Sequence, residues 1–170
     1  MIVRETEQTR IANVLQVRKL KVGSALYRHI LIGLNQSDSA HRALLRAINL
    51  AAEFDATLTA MTVVQALPPH AAYVAVLSSE AVQIMKDDEQ NSFVELLERA
   101  RREAAQHALK IETILSDGPV VVSLVEAVRK NHIDLLVLGI HPKQGMLGWL
   151  TPSTAHELAQ EVACDVLGVR

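Results

Sequence analysis

"HILIGLNQSDSAHRALLRAINLAAEF", residues 29–54, decides how the rest of the chain is read. Its first six residues form a short apolar, β-branched run bounded by turn formers, the pattern of a buried strand. "NQSDS" then supplies Asn, Ser and Asp, side chains that satisfy the free N–H groups at a helix start, and an amphipathic stretch follows. Strand, turn and helix in succession are half of a βαβ unit.

The rhythm repeats downstream. "ATLTAMTVV" (56–64) alternates and is rich in Thr and Val, as a strand should be. A loop marked by Pro68 and Pro69 follows, because the residue before proline is pushed away from the helical region. From about Ser79 to Leu109, apolar Val82, Met85, Phe93, Leu96, Leu97, Ala100 and Ala104 recur at helical spacing, which reads as one long helix, with or without a kink around "KDDEQNS". That acid run reads as a solvated helix face. "KIETILSDG" gives a third strand ending at Gly118, and "PVVVSLVEAVRKNH" opens a helix with Pro119 at its first position. "IDLLVLGI" is almost wholly apolar, as a parallel strand covered on both faces must be. A last helix is expected over 152–163, and "CDVLGVR" closes as a fifth strand. Strands separated by helices imply right-handed crossovers. The expected fold is therefore an α/β, Rossmann-like open sheet of five parallel strands, or four plus a variable edge, with helices on both faces.

Residues 1–26 stand apart as an N-terminal extension, helical or disordered, and 27–170 form the domain. Within the extension Ile11, Val14, Leu15 and Arg18 share a helical face.

Bulk composition narrows the function. The 170 residues are 49% hydrophobic and 21% charged, with net charge −2, so no positive field exists to hold nucleic acid or an anionic membrane. No apolar run approaches the ~18 residues of a membrane span, and a cytoplasmic location is the expectation. Cys164 has no second thiol for a disulfide or metal site. "HELAQ" at His156 has Gln160 where a zinc-protease helix requires its second histidine. No metal site and no catalytic residue are assigned.

In an open parallel sheet, ligands gather beyond the carboxyl ends of the strands, where the strand order reverses. The loops there begin at Asn35, Val64, Gly118 and Gly139.

Four segments in the right order, "HILIGLNQSDSAHRAL", "SDGPVVVSLVEAV", "HIDLLVLGIH" and "LTPSTAHELAQEVACDVLGVR", resemble the universal stress protein family from Tyr27 to Arg170. The resemblance implies a stress-response binding protein that is not an enzyme and that commonly pairs as a homodimer through its last strand. ATP-binding members of the family carry a glycine, two residues, a glycine, nine residues, then a glycine and a hydroxyl residue. On this chain those positions are Gly139, Pro142, Pro152 and Ser153; the family's acidic residue after strand one falls on Asn35.

Proline has no N–H and cannot adopt positive φ, so Pro142 and Pro152 each remove a donor from an anion cradle. At 1.5–3 kcal/mol for each charge-assisted bond, losing two weakens binding by about a hundredfold to ten-thousandfold. Lys143, Gly145, Ser153 and Thr154 partly offset the loss around the phosphates, with Asn35 for the ribose and the backbone near Val63 and Val64 for the base. The same "TPST" is also ordinary helix-start grammar, with Thr151 capping and Pro152 at the first position. The expectation is weak or absent nucleotide binding, no required cofactor, and action through an unidentified protein partner. The alternatives are an ATP- or AMP-binding member and a slow nucleotide hydrolase.

Overall fold

The computed structural model describes residues 26–64, 79–140 and 154–170. Among these, β1 (His29–Gly33), β2 (Thr57–Val64), β3 (Ile111–Asp117), β4 (Leu135–Gly139) and β5 (Asp165–Val169) form one sheet in the order β3-β2-β1-β4-β5. All four neighbouring pairs are parallel. Helices α1 (Asp38–Phe54), α2 (Ser79–Gln106), α3 (Val120–Lys130) and α4 (Thr154–Glu161) connect or flank them.

The central strands β1 and β4 are apolar because both faces are covered. Ile30, Ile32, Leu58, Ala60, Leu135 and Val137 point into one core with α1 and α2; Leu31, Met61, Leu136 and Leu138 point into the other with Leu124, Ala127 and Val128 of α3 and Leu158 of α4. Alternate residues of each strand therefore serve opposite layers. In α1 the buried stripe is largely Ala40, Ala43, Ala47 and Ala51, small side chains that let the helix backbone lie close to the sheet.

Helix boundaries follow cap chemistry. Ser37 caps α1 by accepting from the Ala40 N–H at 3.2 Å, and Asp55 closes it in the left-handed conformation with φ 57°. α2 runs as one continuous helix through "KDDEQNS", as the reading of a single long helix expects; Asp88, Gln90 and Asn91 are exposed there, as a solvated face requires. Pro119 is the N-cap of α3 rather than its first helical residue. The one-residue difference reflects extended backbone at Pro119, ψ 127°, before the helix turns in.

At the amino-terminal edge of the sheet, the entry to β1 is pinned. Asp134 Oδ2 accepts from the backbone N–H of Arg28 (2.7 Å) and His29 (2.9 Å). Tyr27 donates its hydroxyl to Asp165 Oδ2 at 2.9 Å and meets Phe54 edge to face at 5.5 Å. Among the described residues no helix is long and apolar enough to cross a membrane.

Candidate functional site

The chain steps from β1 outward to β2 and β3, then returns to the other side of β1 to build β4, so the strand order reverses between β1 and β4. The crevice beyond their carboxyl ends is the candidate site. It brings the turn at Asn35, the end of β2 at Val63 and the end of β4 at Gly139 to adjacent positions.

The Asn35 turn is fixed by its own hydrogen bonds. Asn35 Oδ1 accepts from the Ser37 backbone N–H at 3.0 Å and from the Ser37 hydroxyl at 2.6 Å. Ser37 Oγ in turn lies 3.1 Å from Ser39 Oγ. The sequence run "NQSDS" thus closes on itself at the start of α1, as Asn and Ser do in turns and caps. Gln36 Nε2 donates to Ser92 Oγ of α2 at 2.8 Å, tying the turn to a helix far away in sequence.

On β2, Val64 and Val63 differ in what they offer. The Val64 carbonyl accepts from Gly118 N–H at 3.0 Å, so it is committed to the β3 side; Gly118 reaches it with φ 123°. Backbone groups of successive strand residues face alternate neighbours, so Val63 faces β1. The paired run of β1 ends at Gly33 opposite Met61, with Leu34 N–H closing on the Met61 carbonyl at 2.8 Å. Val63 lies past that last bond, at the crevice. The next residue inward, Thr62, is buried, and its hydroxyl has no partner among the described residues.

Gly139 carries the most definite geometry. A Cβ placed on it would lie 2.4 Å from the Ala40 nitrogen, 2.5 Å from the Ser39 carbonyl carbon and 2.7 Å from the Ala40 Cα. The first turn of α1 occupies the space a side chain would need. The absence of a side chain at Gly139 is therefore required by helix-to-strand packing alone.

Thr154 begins α4 and is exposed. Lys143, Gly145 and Ser153, with Pro142, Pro152, Thr151 and His141, lie outside the described residues. Among the described residues no group of three or more His, Cys, Asp or Glu side chains could hold a metal ion. A separate open cavity of about 550 Å³, lined by Arg101, Ala105, Ala108, Leu109, Lys110 and Ile111, sits where β3 begins, at the opposite end of the sheet.

The sequence located the crevice through its loops. It gave no sign of the Gln36–Ser92 bridge, of the buried Thr62 hydroxyl, or of α1 pressing on Gly139. The Ser-rich turn was the one local signal that hydrogen bonds would be made within it.

Known proteins share this fold. The universal stress protein family profile matches residues 26–170. A universal stress protein from Methanocaldococcus jannaschii is 32% identical over 151 residues, covering 89% of this chain and 86% of the relative. The solved UspA protein from Lactobacillus plantarum is 26% identical, with a TM-score of 0.69, covering 86% of this chain and 100% of that one. A universal stress protein solved in complex with cAMP is 28% identical, with a TM-score of 0.68, covering 86% of this chain and 99% of the other. On its sequence and on its five-stranded parallel sheet, the chain belongs to the universal stress protein family.

Proposed function

We propose that this chain is a stress-responsive regulatory binding module that holds adenine nucleotides weakly at the crevice and acts through protein partners. The observation that carries the reading is at Gly139. Of the three glycines in the family's phosphate motif this chain keeps one, and α1 packing accounts for it without any ligand. The other two are Pro142 and Pro152, which supply no N–H to an anion.

What favours binding at all is the rest of the crevice. Val63 turns its backbone toward the β1 side past the last sheet bond, where a flat ring edge can pair with main-chain groups. A relative 28% identical to this chain was solved with cAMP. Base and ribose recognition are thus better supported here than triphosphate recognition.

No turnover is proposed. Hydrolysis of a nucleotide needs a positioned base and a metal-holding carboxylate beside the phosphate, and residues 139–154 contain no Asp or Glu. Pairing of two copies through β5 is part of the same reading. β5 is an edge strand with Leu167 exposed, and an apolar edge left open is prone to add another strand.

Isothermal titration with ATP, ADP and AMP, with and without magnesium, tests the reading. Dissociation constants weaker than about 10 μM for all three support it. Tighter ATP binding overturns it, and release of product during the titration favours the hydrolase.

A further inference from the structure

We propose that residues 11–18 of the same chain dock as a short helix on the outer face of β5, beside α1, and cover Leu167. Residues 1–25 lie outside the described residues. The open face, the point where the chain leaves it and the pattern of the upstream sequence carry the assignment.

Along β5, Val166 packs into one core and Val169 into the other, so Asp165 and Leu167 share the face of Val169. α1 covers the inner side of that face. Arg42 Nε donates to the Arg170 carbonyl at 2.8 Å, just past the carboxyl end of β5, and Phe54 at the far end of α1 meets Tyr27, which holds Asp165. Helix and strand therefore run antiparallel, with Arg42 at the head of a strip and the Tyr27–Asp165 pair at its foot. Midway along it, Leu167 is still 36% exposed. A second copy paired at the backbone edge of β5 would extend the sheet in its own plane and leave this face open.

The chain passes the foot of the strip. Tyr27 is fixed to Asp165, and Leu26, the residue before it, is 68% exposed. Leu167 is two residues along the strand from Asp165, about 7 Å away. Upstream, Ile11, Val14, Leu15 and Arg18 fall at i, i+3, i+4 and i+7, one face of a helix. A helix over 11–18 is about 12 Å long, and the five residues of β5 span about 16 Å. Residues 19–26 reach up to about 26 Å when extended, and Gly23 and Ser24 stand where the chain must reverse to enter β1.

Charge selects the face and the orientation. With residue 18 nearest the foot, Arg18, Lys19 and Lys21 meet the exposed carboxylates of Glu53, Asp55 and Asp165. The opposite orientation would carry them to Arg42 and to Arg46, one turn further along α1. The open cavity near Ile111 is also at the amino-terminal end of the sheet, but Arg101 and Lys110 on its rim repel the same basic stretch.

The test is NMR on the full chain with labelled Ile, Leu and Val methyl groups, with amide exchange read on the same samples. In the wild type, Overhauser contacts between Val14 or Leu15 and Leu167 are expected, unchanged on tenfold dilution. Ordering eight residues offsets much of the burial, so their amides should be protected only about tenfold. Leu15→Glu is expected to remove the contacts and bring that protection within about twofold of an unfolded peptide, while the amides of β1 and β4 exchange as before. Arg18→Glu should lower the protection by about threefold or more. Missing contacts with unprotected amides in the wild type overturn the proposal, as does protection that survives Leu15→Glu. Contacts that fade on dilution assign the face to a second copy and overturn it too. Protection unchanged in Arg18→Glu overturns the charge pairing and the orientation drawn from it.

Discussion

Substituting Gly139 by alanine places a methyl group 2.4 Å from the Ala40 nitrogen, 1 Å short of the 3.4 Å at which ordinary contact begins. The obstacle is backbone on every side named, Ser39 and Ala40, so no rotamer change relieves it. Either the first turn of α1 or the end of β4 must move by about 1 Å. That turn is held by the Ser37 cap, the Asn35 hydrogen bonds and the Gln36–Ser92 bridge. Overpacking costs 1–3 kcal/mol where side chains can adjust, and a backbone obstacle puts this case at the upper end, about 3 kcal/mol. For a domain of this size that lowers the melting temperature by about 6–12 °C. Urea unfolding followed by circular dichroism measures it, with the midpoint reduced and the slope unchanged. Gly168→Ala is the matched control. Its methyl would meet Ile140 Cδ1 at 3.1 Å, the far end of a flexible side chain, and is expected to cost under about 1 kcal/mol. A Gly139→Ala protein within about 0.5 kcal/mol of wild type, or a Gly168→Ala protein equally destabilised, refutes the packing argument.

Three further outcomes are expected. Ser37→Ala removes the α1 cap and should destabilise by about 1 kcal/mol in the same urea assay. At Asp134 burial alone would raise the carboxyl, but the N–H bonds and charges of Arg28 and His29 outweigh it and hold the group below its ordinary value of 3.8. Its folded pKa is depressed, so its stabilisation is fully present above the ordinary value and is lost as pH falls through the folded one. Asp134→Asn keeps an acceptor but loses the charge in a solvent-screened position, so it should cost under about 1 kcal/mol at pH 7, with the gap to wild type closing in strongly acidic buffer; a gap constant with pH counts against the pin. Replacing Pro142 and Pro152 together by glycine restores two N–H groups and should tighten ATP binding by about a hundredfold or more, measured by calorimetry. An unchanged affinity would mean the prolines do not set the weakness.

The sequence by itself determined the strands and helices. "HILIGL" and "IDLLVLGI" are apolar throughout because residues facing opposite layers are both buried, and the alanines of α1 recur at the helical period because one stripe meets the sheet. These patterns are local, so they survive in the order of residues. It also determined which loops lie at the carboxyl ends of the strands, since topology follows from alternating elements. α2 formed as the single long helix its periodicity implies: "KDDEQNS" is polar, yet nothing in it breaks the backbone ladder, and helix formers on either side carry through.

Only the tertiary structure decided what the site residues do. Gly139 has the look of a phosphate-loop glycine until Ser39 and Ala40, a hundred residues earlier, are placed against it. Asn35 is an amide with two faces until Ser37 takes one of them. Val63 and Val64 are equivalent in sequence, and the end of β1 separates them, leaving one turned to β3 and the other to the crevice. Periodicity records how deeply each residue is buried. Which atom it is buried against depends on the crossing of chains distant in sequence, and that is set when the layers pack.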